Sequence, residues 1–300
     1  MMKVLCLGQA AYDITLPIDH YPVENKKVRI PSRVECGGGS SSNCAYLLSK
    51  WGLDTYFAGV VGSDYYGSKI KEEFMHGNVN TKYLQTSDEY GTTASYIIAN
   101  TSIGTRTILT NRDPNIKMFP TEFKEKFDFL LFDGYEKDIA LQLIKDNPDS
   151  IKMLDAGSMK EATVELAHLV DYLVCSKDFA EEFTGMKVDY ENISSLITIY
   201  NALKKEFQNN IVITLESKGC FTYDNGYKLV PSIPMKAVDS TGAGDIYHGA
   251  FMYCIAKNYD LVKTMIISNI AGALSVTKIG GRYSIPSLEE VMDKYNELAL

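Results

Sequence analysis

The chain has 300 residues, 30 basic against 38 acidic side chains for a net charge of −8, and a hydrophobic share of 45%. That length suits one large α/β domain or two small ones, and the apolar share suits a full core. The acidic balance argues against nucleic acid as a main partner, which is met by clustered Lys and Arg. No run approaches the roughly 18 consecutive apolar residues of a membrane span.

Lys3–Leu7 reads as a first strand ending at Gly8. Its apolar run is too short for a signal core, and Asp13 soon follows. Ser42–Lys50 reads as a helix stopped by Gly52, Thr55–Val61 as a strand, and Tyr65–Met75 as a helix terminated at Gly77. Phe127–Phe132 is a strongly apolar strand, Ile139–Lys145 a helix, and Ile151–Leu154, Tyr172–Cys175 and Ile211–Leu215 are further strands. Short apolar strands separated by helices predict a doubly wound parallel sheet covered on both faces.

Two segments lack helices. Residues 14–36 are polar and β-prone, and residues 92–110 read as two alternating strands around a turn near Ser102–Gly104. They predict a small antiparallel sheet, either a surface hairpin or a lid that shields a cleft from water. Residues 1–300 otherwise read as one domain, without repeats or linkers. The six cysteines, Cys6, Cys36, Cys44, Cys175, Cys220 and Cys254, form no CxxC and no zinc-like spacing with histidine. Reduced thiols in a cytoplasmic protein are expected.

The most informative stretch is Val238–Ala250, VDSTGAGDIYHGA, which follows a strand-like segment (Lys228–Met235) and opens a helix to about Lys257. Gly242, Ala243 and Gly244 are small, so a phosphate oxygen can approach the backbone closely. Their amides, with that of Asp245, would point out of the helix start and form an anion site. Donors held there stabilise the charge on a moving phosphoryl group. Asp245 beside them can take the proton of an attacking alcohol. The plainer alternative is that Asp239 and Asp245 only cap a helix. No GxxxxGK[ST] is present, and Gly8–Asp13 lacks the dinucleotide fingerprint. His248 reads as a packed side chain rather than a partner of the base.

DSTGAGD resembles the second signature of the ribokinase/PfkB carbohydrate kinases. Gly37–Ala45, GGGSSSNCA, resembles that family's GGxxxNxA stretch, and Gly59–Gly67, GVVGSDYYG, its G-x-x-G-x-D-x-x-G segment with Asp64 in place. Asp13 matches the sugar-binding aspartate. The resemblance spans nearly the whole chain. It implies a three-layer α/β/α ribokinase-like fold with a small β lid. It also implies transfer of the γ-phosphoryl of MgATP to a hydroxyl of a small sugar, a ketose or pentose.

Residue by residue, the resemblance gives Asp245 as base with Gly242, Ala243 and Gly244 as the anion hole. Asp13, Gly38, Gly39, Asn43, Arg106 and Asp133 would meet the sugar. Thr214, Glu216, Gly219, Thr241 and Gly244 would border the nucleotide. A monovalent cation such as K+ would lie near Asp239, and lid strands would pair in a homodimer, covering their edges. Where the family carries N-x-x-E, tied to Mg2+, this chain has Ser176 and Phe179. Metal would then be held mostly by ATP phosphates and water. Asp178 and Glu181 are outer-shell candidates or a charged helix face. Ketohexokinase-like members share the Ser176-Lys177-Asp178 run and an arginine like Arg106, which leans the substrate towards fructose. Alternatives are a sugar-phosphate kinase using Lys26, Lys27, Arg29, Arg33 and Arg112, a nucleoside kinase, and a non-catalytic sugar or nucleotide sensor.

Overall fold

Alternate residues of the first strand serve two cores. In β1 (Lys3–Leu7), Val4 and Cys6 face one side of a sheet, Leu5 and Leu7 the other, and all four are buried. The computed structural model describes residues 2–298; Met1, Ala299 and Leu300, ends of the expected 1–300 domain, lie outside them. In chain order follow β2 (Ala11–Ile18), β3 (Val34–Gly38), α1 (Ser40–Lys50), β4 (Asp54–Gly62), α2 (Tyr65–His76), β5 (Asn80–Ser87), β6 (Thr93–Asn100) and β7 (Thr105–Asn111). Then come β8 (Phe129–Phe132), α3 (Lys137–Asp146), β9 (Ile151–Ala156), α4 (Glu161–Ala167), β10 (Tyr172–Ser176), α5 (Lys177–Thr184) and α6 (Ile193–Glu206). The last are β11 (Asn210–Thr214), β12 (Cys220–Tyr223), β13 (Tyr227–Val230), α7 (Ala243–Ala256), α8 (Leu261–Ser275) and α9 (Leu288–Leu298).

The main sheet has nine strands in the order β13-β12-β11-β10-β9-β8-β1-β4-β5. Pairing from β11 to β5 is parallel, and β12 and β13 add an antiparallel edge. Helices α1, α2, α7, α8 and α9 cover one face, and α3 to α6 the other. Because the parallel strands run one way, the ends of β1, β8, β9, β10 and β11 share an edge, where ligands of open α/β sheets bind.

The lid sheet has the order β3-β2-β6-β7. Its outer pairs are antiparallel, but β2 and β6 pair in parallel, not antiparallel as expected. The cause is topological. β2 continues from β1 and β6 from β5, and those two strands run towards the same edge. The first lid strand also begins earlier than residue 14, at Ala11, and so carries Asp13. The second begins only at Val34.

Candidate active site

The motif helix begins where the chain turns through Gly242 at φ 75°, a left-handed position that favours glycine. Ile246 to Ala256 are buried on every side, so α7 is an internal helix. Gly249 lets it cross α1 closely: a Cβ there would meet the Cα of Cys44 at 3.3 Å. The first helical amide–carbonyl bond is Ile246 N to Gly242 O, at 2.8 Å. The first-turn amides of Gly244 and Asp245 thus have no carbonyl one turn back. A Cβ on Gly244 would meet nothing within 4 Å, so the space over this end is open. An open, amide-lined helix end fits a phosphate group.

Asp245 Oδ2 accepts from Asn43 Nδ2 at 2.8 Å, and Cys44 Sγ donates to the Asp245 carbonyl at 3.2 Å. Asn43 stands in the first turn of α1, which starts after Gly39 at φ 93°. Asp13 is buried on β2, and its carboxyl is pushed up to about 7 by burial and then by the charge of Asp245. The two carboxylates therefore share one cleft. Gly38 borders them; any side chain there would run into the Asp13 carboxylate.

Asp133 is equally buried, but backbone amides take its oxygens: Gln9 at 2.8 Å, Ser41 at 3.3 Å and Tyr135 at 3.1 Å. Burial raises its carboxyl above the usual range. It ties the turn after β1 to the start of α1 and the end of β8. Arg106, on β7, donates from Nη1 to Ser240 Oγ at 2.7 Å, so the lid tip meets the loop leading into α7.

On the nucleotide side, Thr214 ends β11 and donates to the Cys175 carbonyl at 3.3 Å. Glu216 (φ 56°) and Gly219 (φ 100°) bound a short 3-10 turn, with Glu216 Oε1 3.5 Å from Lys177 Nζ. Asp239 is buried and accepts from Thr241 N at 2.9 Å, Thr241 Oγ1 at 2.6 Å and Gly280 N at 2.9 Å. Among the described residues, no group of three or more His, Cys, Asp or Glu side chains could hold a metal.

Ser176 caps α5, accepting from Phe179 N at 3.0 Å, and Phe179 is fully buried. Glu181 is engaged with Lys187 at 2.6 Å and with Val188 N at 2.9 Å. His248 faces inward, its ring nitrogens 2.6 Å from Gly244 O and 3.1 Å from Val174 O, with Asp155 at 3.4 Å. Asp64 caps α2 through Gly67 N and also accepts from Thr92 N at 2.7 Å, pinning α2 to the start of the lid. Arg282, which sequence reasoning did not single out, is buried against Glu73, Ser42 and Asn43.

The sequence matches the family described as pfkB family carbohydrate kinase over residues 1–288. The chain belongs to that family. As a pfkB kinase it is an ATP-dependent phosphotransferase acting on an alcohol of a carbohydrate or nucleoside, with the ribokinase-like fold. It is 27% identical to a ribokinase of Staphylococcus aureus (strain COL), over 96% of this chain and 98% of that protein. It is 24% identical to a nucleoside kinase of Methanocaldococcus jannaschii, over 98% and 97%. The pfkB kinase also superposes on the structure of an Arabidopsis thaliana ribokinase complexed with ribose and ATP, with a TM-score of 0.79, 23% identity and 97% of each chain covered. Among its described residues, no helix is long and apolar enough to cross a membrane.

Proposed function

We propose that this enzyme transfers the γ-phosphoryl group of MgATP to a primary hydroxyl of a small unphosphorylated sugar, with a ribose-type pentose ahead of a ketohexose. The observation that carries the reading is Asp245, hydrogen-bonded to Asn43 at 2.8 Å beside the open space over Gly244. Asp245 takes the hydroxyl proton as the new O–P bond forms and the bond from the γ-phosphorus to the ADP oxygen breaks. Amides of Gly242, Ala243 and Gly244 meet the charge on the moving group. Asp13, Asn43, Gly38 and Gly39 receive the sugar, and Asp133 holds the backbone around them. Thr214, Glu216, Gly219 and Thr241 border the nucleotide. Magnesium, bound to the phosphates, would supply further neutralisation of their charge.

Both grounds for fructose have other uses here: Arg106 bonds Ser240, and Ser176 caps α5. The ribokinase and nucleoside-kinase relatives do not favour it either. A sugar-phosphate substrate is the second reading. It is supported by Arg112 and Lys160, whose charges lie 4.6 Å and 3.7 Å from the Tyr135 ring centroid. Arg112 also donates to the Ile116 carbonyl at 3.0 Å and to Thr93 Oγ1 at 3.4 Å, and Arg33 is engaged by Glu35 at 2.6 Å.

The proposal extends to a K+ ion near Asp239, to a homodimer built on the lid, and to a cytoplasmic setting that suits six unpaired, buried cysteines. ADP release should be measured over ribose, deoxyribose, fructose, ribose 5-phosphate and nucleosides, in KCl and in NaCl. Asp245→Asn should keep sugar and ATP binding and lose turnover by about 10³-fold or more. A panel flat for every acceptor would leave the sensor reading standing instead.

A further inference from the structure

Arg282 follows the Gly280-Gly281 pair after α8, and its side chain is 1% exposed. A group that is always charged is seldom buried so fully without dedicated partners. Its Nη1 lies 3.0 Å from Glu73 Oε2 on α2, its Nη2 donates to Ser42 Oγ, and its Nε donates to Asn43 Oδ1 at 3.4 Å. The guanidinium lies 5.2 Å from the Tyr46 ring centroid and 5.0 Å from that of Phe74. Gly37 donates its amide to the same Glu73 oxygen at 2.8 Å, and a side chain at Gly37 would run into the guanidinium. Parts of α1, α2, β3 and the loop after α8 thus converge on one cation.

Arginine offers five N–H donors and no acceptor, whereas a carboxamide has one acceptor end and one donor end. Asn43 must therefore turn its oxygen to Arg282. That leaves its Nδ2 for Asp245, where it is found. If the carboxamide reversed, it would set an oxygen against the Asp245 carboxylate. We propose that Arg282 is a positioning residue: it fixes the facing of Asn43 and so keeps a donor on the carboxylate that takes the substrate's proton. This rests on Asp245 being that base.

Two further observations fit. An isolated buried ion pair adds little stability over apolar side chains of equal volume, so its retention suits a role in registry. Arg282 also acts on Asp13. Burial and the charge of Asp245 push that carboxyl up, and Arg282 is among the groups holding it down, at about 7. The charged or titratable groups near this cation are Glu73 on α2, Asp13 on β2, Cys36 on β3, Tyr46 on α1, the adjacent Tyr283 and, across Asn43, Asp245 on α7. Removing Arg282 disfavours the ionised form of Asp13.

Arg282→Met and Arg282→Lys should be purified and compared with the natural enzyme. The readouts are kcat, KM for sugar and for ATP, the pH–rate profile and the melting temperature. In Arg282→Met, kcat/KM for the sugar should fall about tenfold or more, with KM for ATP within about twofold. The acidic limb of the profile should move to higher pH by roughly half a unit or more. If that variant does not fold, Arg282→Lys is read instead. It keeps the charge beside Glu73 but not the planar fork, and should move the same quantities the same way by less. A folded variant with an unmoved limb and unchanged sugar kcat/KM overturns the proposal. So does a loss confined to melting temperature. Asp245→Asn in the same assay separates the two levels. If it still turns over, the assignment of the base fails. If it is inactive while the limb of Arg282→Met stays put, only the role of Arg282 fails.

Discussion

Asp13 is held near neutrality, at about 7, by burial and the charge of Asp245 acting against a hydrogen bond from Ser95 and the charge of Arg282. At pH 7 the free protein therefore divides between the acid and the carboxylate. Sugar hydroxyls donating into this group favour the carboxylate, so sugar binding should release a proton. Titration calorimetry in buffers of different ionisation enthalpy measures this; proton uptake, or no buffer dependence, would count against Asp13 as a sugar ligand. The same shift bears on stability. Its folded value lies above the unfolded value, so the folded state holds this proton more tightly. That contribution is complete below about pH 4 and lost as pH rises through 7. Asp13→Asn should thus gain stability over the natural protein progressively from about pH 4 to 7, reaching on the order of 4 kcal/mol. Urea unfolding across that range is the measurement. Asn43 and Asp245 were legible because each lies in a short contiguous motif, and Asp13 because it follows the first strand closely. Arg282 was not, because its partners Glu73 and Asn43 are 209 and 239 positions away and only the fold brings them together.

The glycines at the start of α7 divide into one that shapes the backbone and one that leaves room. Gly242 sits at φ 75° with Gly281 3.1 Å from where a Cβ would be, so alanine there strains the turn. Gly244 is helical and its missing Cβ would meet nothing within 4 Å. Gly244→Ala should therefore leave the melting temperature unchanged or raise it, since alanine favours a helix by about 1 kcal/mol. Its methyl would intrude on the phosphate space, and kcat/KM for ATP should fall about 100-fold. Unaltered turnover would mean that the phosphoryl group does not pass over this helix end. Elements bearing contiguous apolar runs, such as β1, β8 and β11, were readable because both their faces are buried. β5, NTKYLQTS, was not: it is an edge strand with only Tyr83 and Ser87 buried, so no alternation marks it. The strand-like segment to Met235 stops at Val230, where Pro231 and Pro234 remove the amides a ladder needs.

At the scale of the whole molecule, the lid has one engaged face and one that is covered at β2, where Tyr12 stacks on Tyr66 and Ile14 is buried, but bare towards β7. Its inner face carries Asp13 and Arg106, and Gly104 at the hairpin turn packs on Ala237 with no room for a side chain. Its outer face carries Ile14, Leu16 and Tyr96, which with Glu35, Asp64 and Tyr65 line a concavity of about 760 Å³. Leu109 pairs with Tyr96 on that face and is 57% exposed, and every residue of the edge strand β7 is exposed. A bare apolar sheet with an open edge invites aggregation unless something covers it. A second lid presents the same apolar face and the same open edge, which is the argument for a homodimer. Light scattering coupled to size exclusion should then give twice the chain mass, and Leu109→Glu should give a monomer. The variant should keep its core, since Leu109 has few buried contacts to lose. Its KM for sugar should rise several-fold, because a lid without its partner spends more time away from the cleft. If both proteins run as monomers, the lid works alone. If Leu109→Glu stays dimeric, the contact lies elsewhere on the molecule.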